Sequence, residues 1–171
     1  MGCNSLFRML IAAITLILFG VTPVGAQGRI AEAGWEGFAI SGSDGRFERC
    51  VLYNRTIEAL NDSPYDMLGL SQDRTGSVGM LVFYHPRALK RASSVPVRLK
   101  LDQRPAFTTS GDVLSDFHVR MKGPLDAKLT AALRQARTLV VTTQGKTERF
   151  ALADVGAVLN ALETCVRNNA Q

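Results

Sequence analysis

The residues of this 171-residue chain that could do chemistry are few and scattered. His85 and His118 supply its imidazoles. A nucleophilic site would need one of them within hydrogen-bond reach of a hydroxyl or thiol, with a third group to orient the base. Asp116 and His118 stand two positions apart, with Ser110 and Ser115 as the hydroxyls near enough to approach. The chain has no G-x-S-x-G elbow, and neither Cys50 nor Cys165 lies in a papain-like context. Glu36, Asp44 and Glu48 are a group of carboxylates close in sequence. Glycoside cleavage would need two of them flanking a sugar at roughly 5–10 Å, and their turn setting predicts solvated charges instead. Gly76, Gly79 and the Ser41–Gly45 turn contain glycine but lack the Lys-Ser/Thr pair and following helix of a phosphate loop. The cysteines and histidines have no zinc-ligand spacing. These residues predict no enzyme, no cofactor and no metal.

The cysteines point to structure rather than catalysis, once the N-terminus is read. Arg8 is the sole charge among residues 1–26, Met9–Gly20 is an uninterrupted apolar run, and Val24-Gly25-Ala26 places small side chains three and one residues before a cut. That is the pattern of a secretory signal peptide, with the mature chain starting at Gln27. Pro23 and nearby glycines end the run before the roughly 20 residues a transmembrane helix needs, so no stable anchor is expected after cleavage. Cys3 precedes the apolar run and cannot take a lipid at the cleavage point, and Leu6 stands where a myristoylation signal needs Ser or Thr. Cleavage leaves Cys50 and Cys165 in an oxidising compartment, periplasmic or outside the cell, where one disulfide is the default. Two buried thiols that never meet are the alternative. A bridge would close a loop of over 100 residues, on the order of 4 kcal/mol in the chain-entropy model.

The most suggestive constellation is basic. Pro96–Asp102 alternates Val97, Leu99 and Leu101 with Arg98, Lys100 and Asp102; Asp116–Lys122 alternates Phe117, Val119 and Met121 with Asp116, His118, Arg120 and Lys122. Both read as half-buried antiparallel strands. If they pair, Arg98 and Lys100 face His118, Arg120 and Lys122 in a positive strip. Such a strip would attract an anionic partner: a phosphate-bearing lipid, an acidic glycan or an acidic protein loop. The plain alternative is a solvated face whose charges suppress edge pairing.

The remaining elements must position these residues. Loss of Arg8 leaves 19 basic against 15 acidic residues, a net +4, too mild and unclustered for a nucleic-acid binder. Residues 27–171 suffice for one domain with a real core. Trp35–Ser41 and Phe47–Tyr53 flank a Ser43-Asp44-Gly45 turn as a hairpin. Arg55–Tyr65 reads as a short helical turn or ordered loop, Met67–Gln72 as a strand, Ser77–Tyr84 as a strand covered on both faces, and Pro86–Ser94 as a basic surface loop. After Gly123-Pro124 a helix of about three turns runs to Ala136, with Pro124 at its first position and Asp126 in its first turn. Thr138–Thr143 and Thr147–Leu152 form a hairpin across Gln144-Gly145-Lys146. A closing helix carries Val155, Val158, Leu159, Leu162 and Val166 on its apolar face, with Cys165 beside them. The fold class is a β-rich α+β domain, an antiparallel β-sandwich-like structure with two helices in its C-terminal third.

Trp35, Cys50, the Val97–Asp102 strand, Phe150-Ala151-Leu152 and the ending Ala161-Leu162-Glu163-Thr164-Cys165 together resemble the invasion-associated locus B family of secreted bacterial proteins. The match spans most of Gly34 to Val166. The resemblance implies a periplasmic or surface-exposed β-rich domain, associated in some members with entry into host cells, and brings no enzymatic activity. Cysteines soon after the tryptophan and in mid-domain are missing here, so a different disulfide pattern must hold this fold. The expectation is therefore a secreted, non-enzymatic binding module of the envelope or surface, whose partner is an unknown protein or anionic envelope component. An inhibitor of a hydrolase, presenting Lys90-Arg91, and a small hydrolase are the alternatives.

Overall fold

The computed structural model describes residues 28–55, 66–84 and 89–170. The predicted signal segment, His85 and nearly all of the Arg55–Tyr65 segment lie outside them. Among the described residues ten strands and two helices follow in chain order: β1 Ile30–Glu32, β2 Trp35–Ser41, β3 Phe47–Tyr53, β4 Met67–Asp73, β5 Val78–Phe83, β6 Ala92–Leu101, β7 Phe107–Val113, β8 His118–Met121, α1 Ala127–Leu133, β9 Thr138–Thr143, β10 Lys146–Ala151 and α2 Val155–Asn169. The strands form one antiparallel sheet in the order β1-β2-β3-β4-β5-β8-β7-β6-β9-β10. The result is the expected β-rich, sandwich-like α+β fold.

Turn chemistry sets the register. Gln144 and Gly145 both have positive φ, 47° and 73°, and Thr143 pairs directly with Lys146. Such a two-residue turn matches the strand twist, so β10 begins one residue earlier than its sequence suggested. Asp44 Oδ1 accepts the Arg46 N–H at 3.0 Å in the β2–β3 turn, and Asp73 Oδ1 accepts the N–H groups of Thr75 and Ser77 in the β4–β5 turn. Asp126 turns out to be the N-cap of α1, its Oδ1 accepting the Leu129 N–H at 2.7 Å, and the helix ends at Leu133. It is shorter than predicted at both ends: the capping carboxylate fixes its start three residues after Pro124, and beyond Arg134 the N–H groups of Gln135 and Ala136 bond three residues back, to Ala132 and Leu133, instead of four. Leu125 and Ala136 are buried outside the helix rather than on its stripe.

One face of the sheet makes the core. Leu52, Leu68, Leu70, Val82, Leu99 and Leu139 are fully buried there, and Trp35 and Met80 nearly so. Val158, Leu159 and Leu162 of α2 complete it, with the helix packed on β1 to β4. Cys165 of that helix is bonded to Cys50 of β3, with Cα atoms 6.3 Å apart and 115 positions between them in sequence. Among the described residues no helix is long and apolar enough to cross a membrane.

Candidate functional site

Alternation carries polar side chains to the opposite, outward face. Arg98, Lys100, Arg120 and Lys122 are exposed on it, as expected, while His118 is half-buried. The two basic strands are not neighbours, however. β7 lies between them, pairing Thr108 with Arg98 on one side and Asp112 with Arg120 on the other. Two strand spacings and four residues of rise separate Arg98 from Arg120, roughly 16 Å.

The intervening strand divides the strip. Asp112 lies 3.8 Å from the Arg120 guanidinium and 3.7 Å from Lys122 Nζ, and it also accepts the Ser94 N–H. A carboxylate the sequence did not flag thus sits among the cations at one end. At the other, the β6–β9–β10 ladders align Lys100, Val140 and Arg149, so Arg149 joins Arg98 and Lys100 in a second basic group. The β7 sequence FTTSGDV contains Gly111 and no clean apolar alternation, which hid it; Phe107, Thr108, Thr109 and Val113 were the available strand signal.

His118 does not behave as a surface cation. Its ring lies on Phe83 with centroids 4.4 Å apart, and Tyr53 and Phe117 flank Phe83 at 6.3 and 6.1 Å. Burial first, then the nearby Arg120 charge, holds the imidazole below its ordinary value. Its Nε2 is buried without a hydrogen-bond partner. The Ser115 hydroxyl accepts the Phe117 N–H instead of meeting that nitrogen. The carboxylates considered for glycoside cleavage are each engaged by an arginine: Glu36 by Arg29, Asp44 by Arg46 and Glu48 by Arg49. Among the described residues no group of three or more His, Cys, Asp or Glu is placed to hold a metal.

The basic loop is tied down by its neighbour. Lys90 N–H donates to Gln144 Oε1 at 2.8 Å, and Gln144 Nε2 donates to the Lys90 carbonyl at 2.7 Å. A protease would need that carbonyl for its oxyanion hole, so the pairing disfavours Lys90 as an inhibitory contact.

Fold and site together define a disulfide-linked, β-rich α+β domain with a charged outward sheet face. No family model matches the chain, and no curated protein does. Among solved structures, the crystal structure of invasion associated protein B from Bartonella henselae is similar, with a TM-score of 0.52 and 14% identity, covering 84% of this chain and 99% of that one. At that identity the likeness speaks for the fold.

Proposed function

We propose that this chain is a non-enzymatic binding module, periplasmic or secreted, that recognises an anionic partner at the bacterial envelope or surface through the outward face of its sheet. The observation that carries this reading is the placement of Arg98, Lys100, Arg120 and Lys122 on one solvent-facing side of the sheet. The Cys50–Cys165 bond suits an oxidising compartment. The name of the structural neighbour, an invasion associated protein, supports a role at the host-cell interface. His118 contributes to this face as an aromatic surface beside the cations rather than as a charge.

A crosslinking pull-down of the exported protein from its native envelope tests the proposal. The Arg98→Glu/Lys100→Glu/Arg120→Glu variant is expected to fold but to lose a partner that the wild type captures. Equal capture by both proteins would reduce these residues to ordinary solvated surface.

A further inference from the structure

The outward face carries a hollow that the basic strip does not describe. Arg49 of β3 and Arg120 of β8 line it from opposite sides, with β4 and β5 between them. Those two middle strands present Ser71 and Gly79, which are cross-strand partners. Neither carries a large side chain, so the floor between the arginines is low and leaves a volume of about 280 Å³. A Cβ on Gly79 would lie 2.8 Å from Ser71 Oγ, so even one methyl would crowd the floor.

Ser71 makes the hollow more than a gap between long side chains. It is 7% exposed, and its hydroxyl oxygen is the atom that a Cβ on Gly79 would meet. A hydroxyl at the floor of a cleft can both donate to and accept from a ligand there. Lys122 and Asp112 complete the rim. Contacts already made hold the rim groups in place before any ligand arrives: Arg49 pairs with Glu48, Lys122 Nζ donates to Ser94 Oγ at 2.6 Å, and Asp112 stands between Arg120 and Lys122. Such preorganisation lowers the ordering cost of binding.

The mixture of charges narrows the ligand. Two guanidinium groups and an ammonium suit the several oxygens of a phosphomonoester. Asp112 would repel a bare anion but accept hydrogen bonds from hydroxyl groups attached to it. We infer that this hollow binds a phosphorylated saccharide, the phosphate held by Arg49, Arg120 and Lys122 and the sugar hydroxyls by Asp112 and Ser71. The inference rests on the outward face being the recognising face, and it names the chemistry recognised there.

Nuclear magnetic resonance titration of the purified, oxidised protein with glucose 1-phosphate, glucose and inorganic phosphate tests it. Glucose 1-phosphate should shift the amides of Ser71, Gly79 and Arg120 saturably, and bind at least about tenfold more tightly than either fragment. Arg49→Gln and Arg120→Gln should each weaken it by about tenfold, the worth of a charge-assisted hydrogen bond, while Arg167→Gln on α2 leaves it unchanged. Asp112→Asn should narrow the preference for sugar phosphate over phosphate. The same readout with vesicles bearing a phosphorylated glycolipid separates a free ligand from a lipid-borne one, and binding of either supports the site. If neither binds, or if Arg49→Gln/Arg120→Gln binds like wild type, the hollow is not a phosphate site. Partner capture in the pull-down that persists alongside such a failure would leave the binding-module reading standing and remove the hollow alone.

Discussion

His118 stacks almost parallel on Phe83, at an interplanar angle of 11°, although the two residues belong to different strands. The contact uses the imidazole as an aromatic plate, and its protonation would place a charge in a partly desolvated aromatic cluster beside Arg120. A histidine held below its unfolded value of 6.5 binds fewer protons folded than unfolded. Above that value it makes no difference to stability; as pH falls through it, the unfolded chain takes up a proton that the fold resists, and stability drops until the folded group also protonates. Urea midpoints measured from pH 7.5 to 5 should therefore fall more steeply for wild type than for His118→Phe, which keeps the stack without the charge. Identical slopes would show that this burial has no linkage to folding.

The Cys50–Cys165 bond fastens the last helix to β3 across most of the domain. Closing a loop of that length is worth roughly 4–5 kcal/mol in the chain-entropy model. Cys50→Ala/Cys165→Ala should lose about that much in urea unfolding, with wild type under reductant moving the same way. Because Cys50 is fully buried and Cys165 nearly so, reduction should be slow unless the protein first opens. Loss of under about 1 kcal/mol would mean that the α2–sheet packing holds without the bond.

Gly37 lies in β2 directly against the backbone of β3. A Cβ there would sit 1.8 Å from the Val51 carbonyl oxygen, an overlap with main chain that no side-chain rotation can relieve. Gly37→Ala should destabilise the domain by about 3 kcal/mol or more, at the upper end of overpacking costs. Gly28→Ala, which meets nothing within 4 Å, is the control and should be neutral in thermal unfolding.

Legibility from sequence followed the strength of local patterning. β2, β3 and β9 were readable to the residue because their strand patterns are bounded by the turns at Gly45 and Gly145, whereas α2 was readable from its apolar stripe but not in its ends. β7 was lost to its polar, glycine-containing composition, and with it the fact that Asp112 interrupts the basic strip. Arg49 and Arg120 come to border one hollow from three strand pairings apart, on either side of Ser71 and Gly79. No spacing along the chain records such an arrangement, since it depends on β8 inserting beside β5. His118 was legible as an outward residue, but its stacking on Phe83 depends on the same insertion.

Gln144 performs a task that its place in a turn conceals. Its amide both accepts from and donates to the backbone of Lys90, 54 positions earlier, while its positive φ shapes the hairpin. Removing the side chain frees both Lys90 backbone groups to water, at about 1 kcal/mol or less because the site is exposed. The sharper consequence is local: the Lys90-Arg91 segment loses its tether and opens more often, and trypsin cuts from such open states. Gln144→Ala should be nicked after Lys90 or Arg91 several-fold faster than wild type, at a rate that tracks the lost local stability rather than global unfolding. Hydrogen exchange at the Lys90 amide, faster in the variant while core amides such as those of Leu99 and Leu139 keep their rates, separates local release from general destabilisation. Equal nicking of the two proteins would mean that the loop is held by something other than this pair.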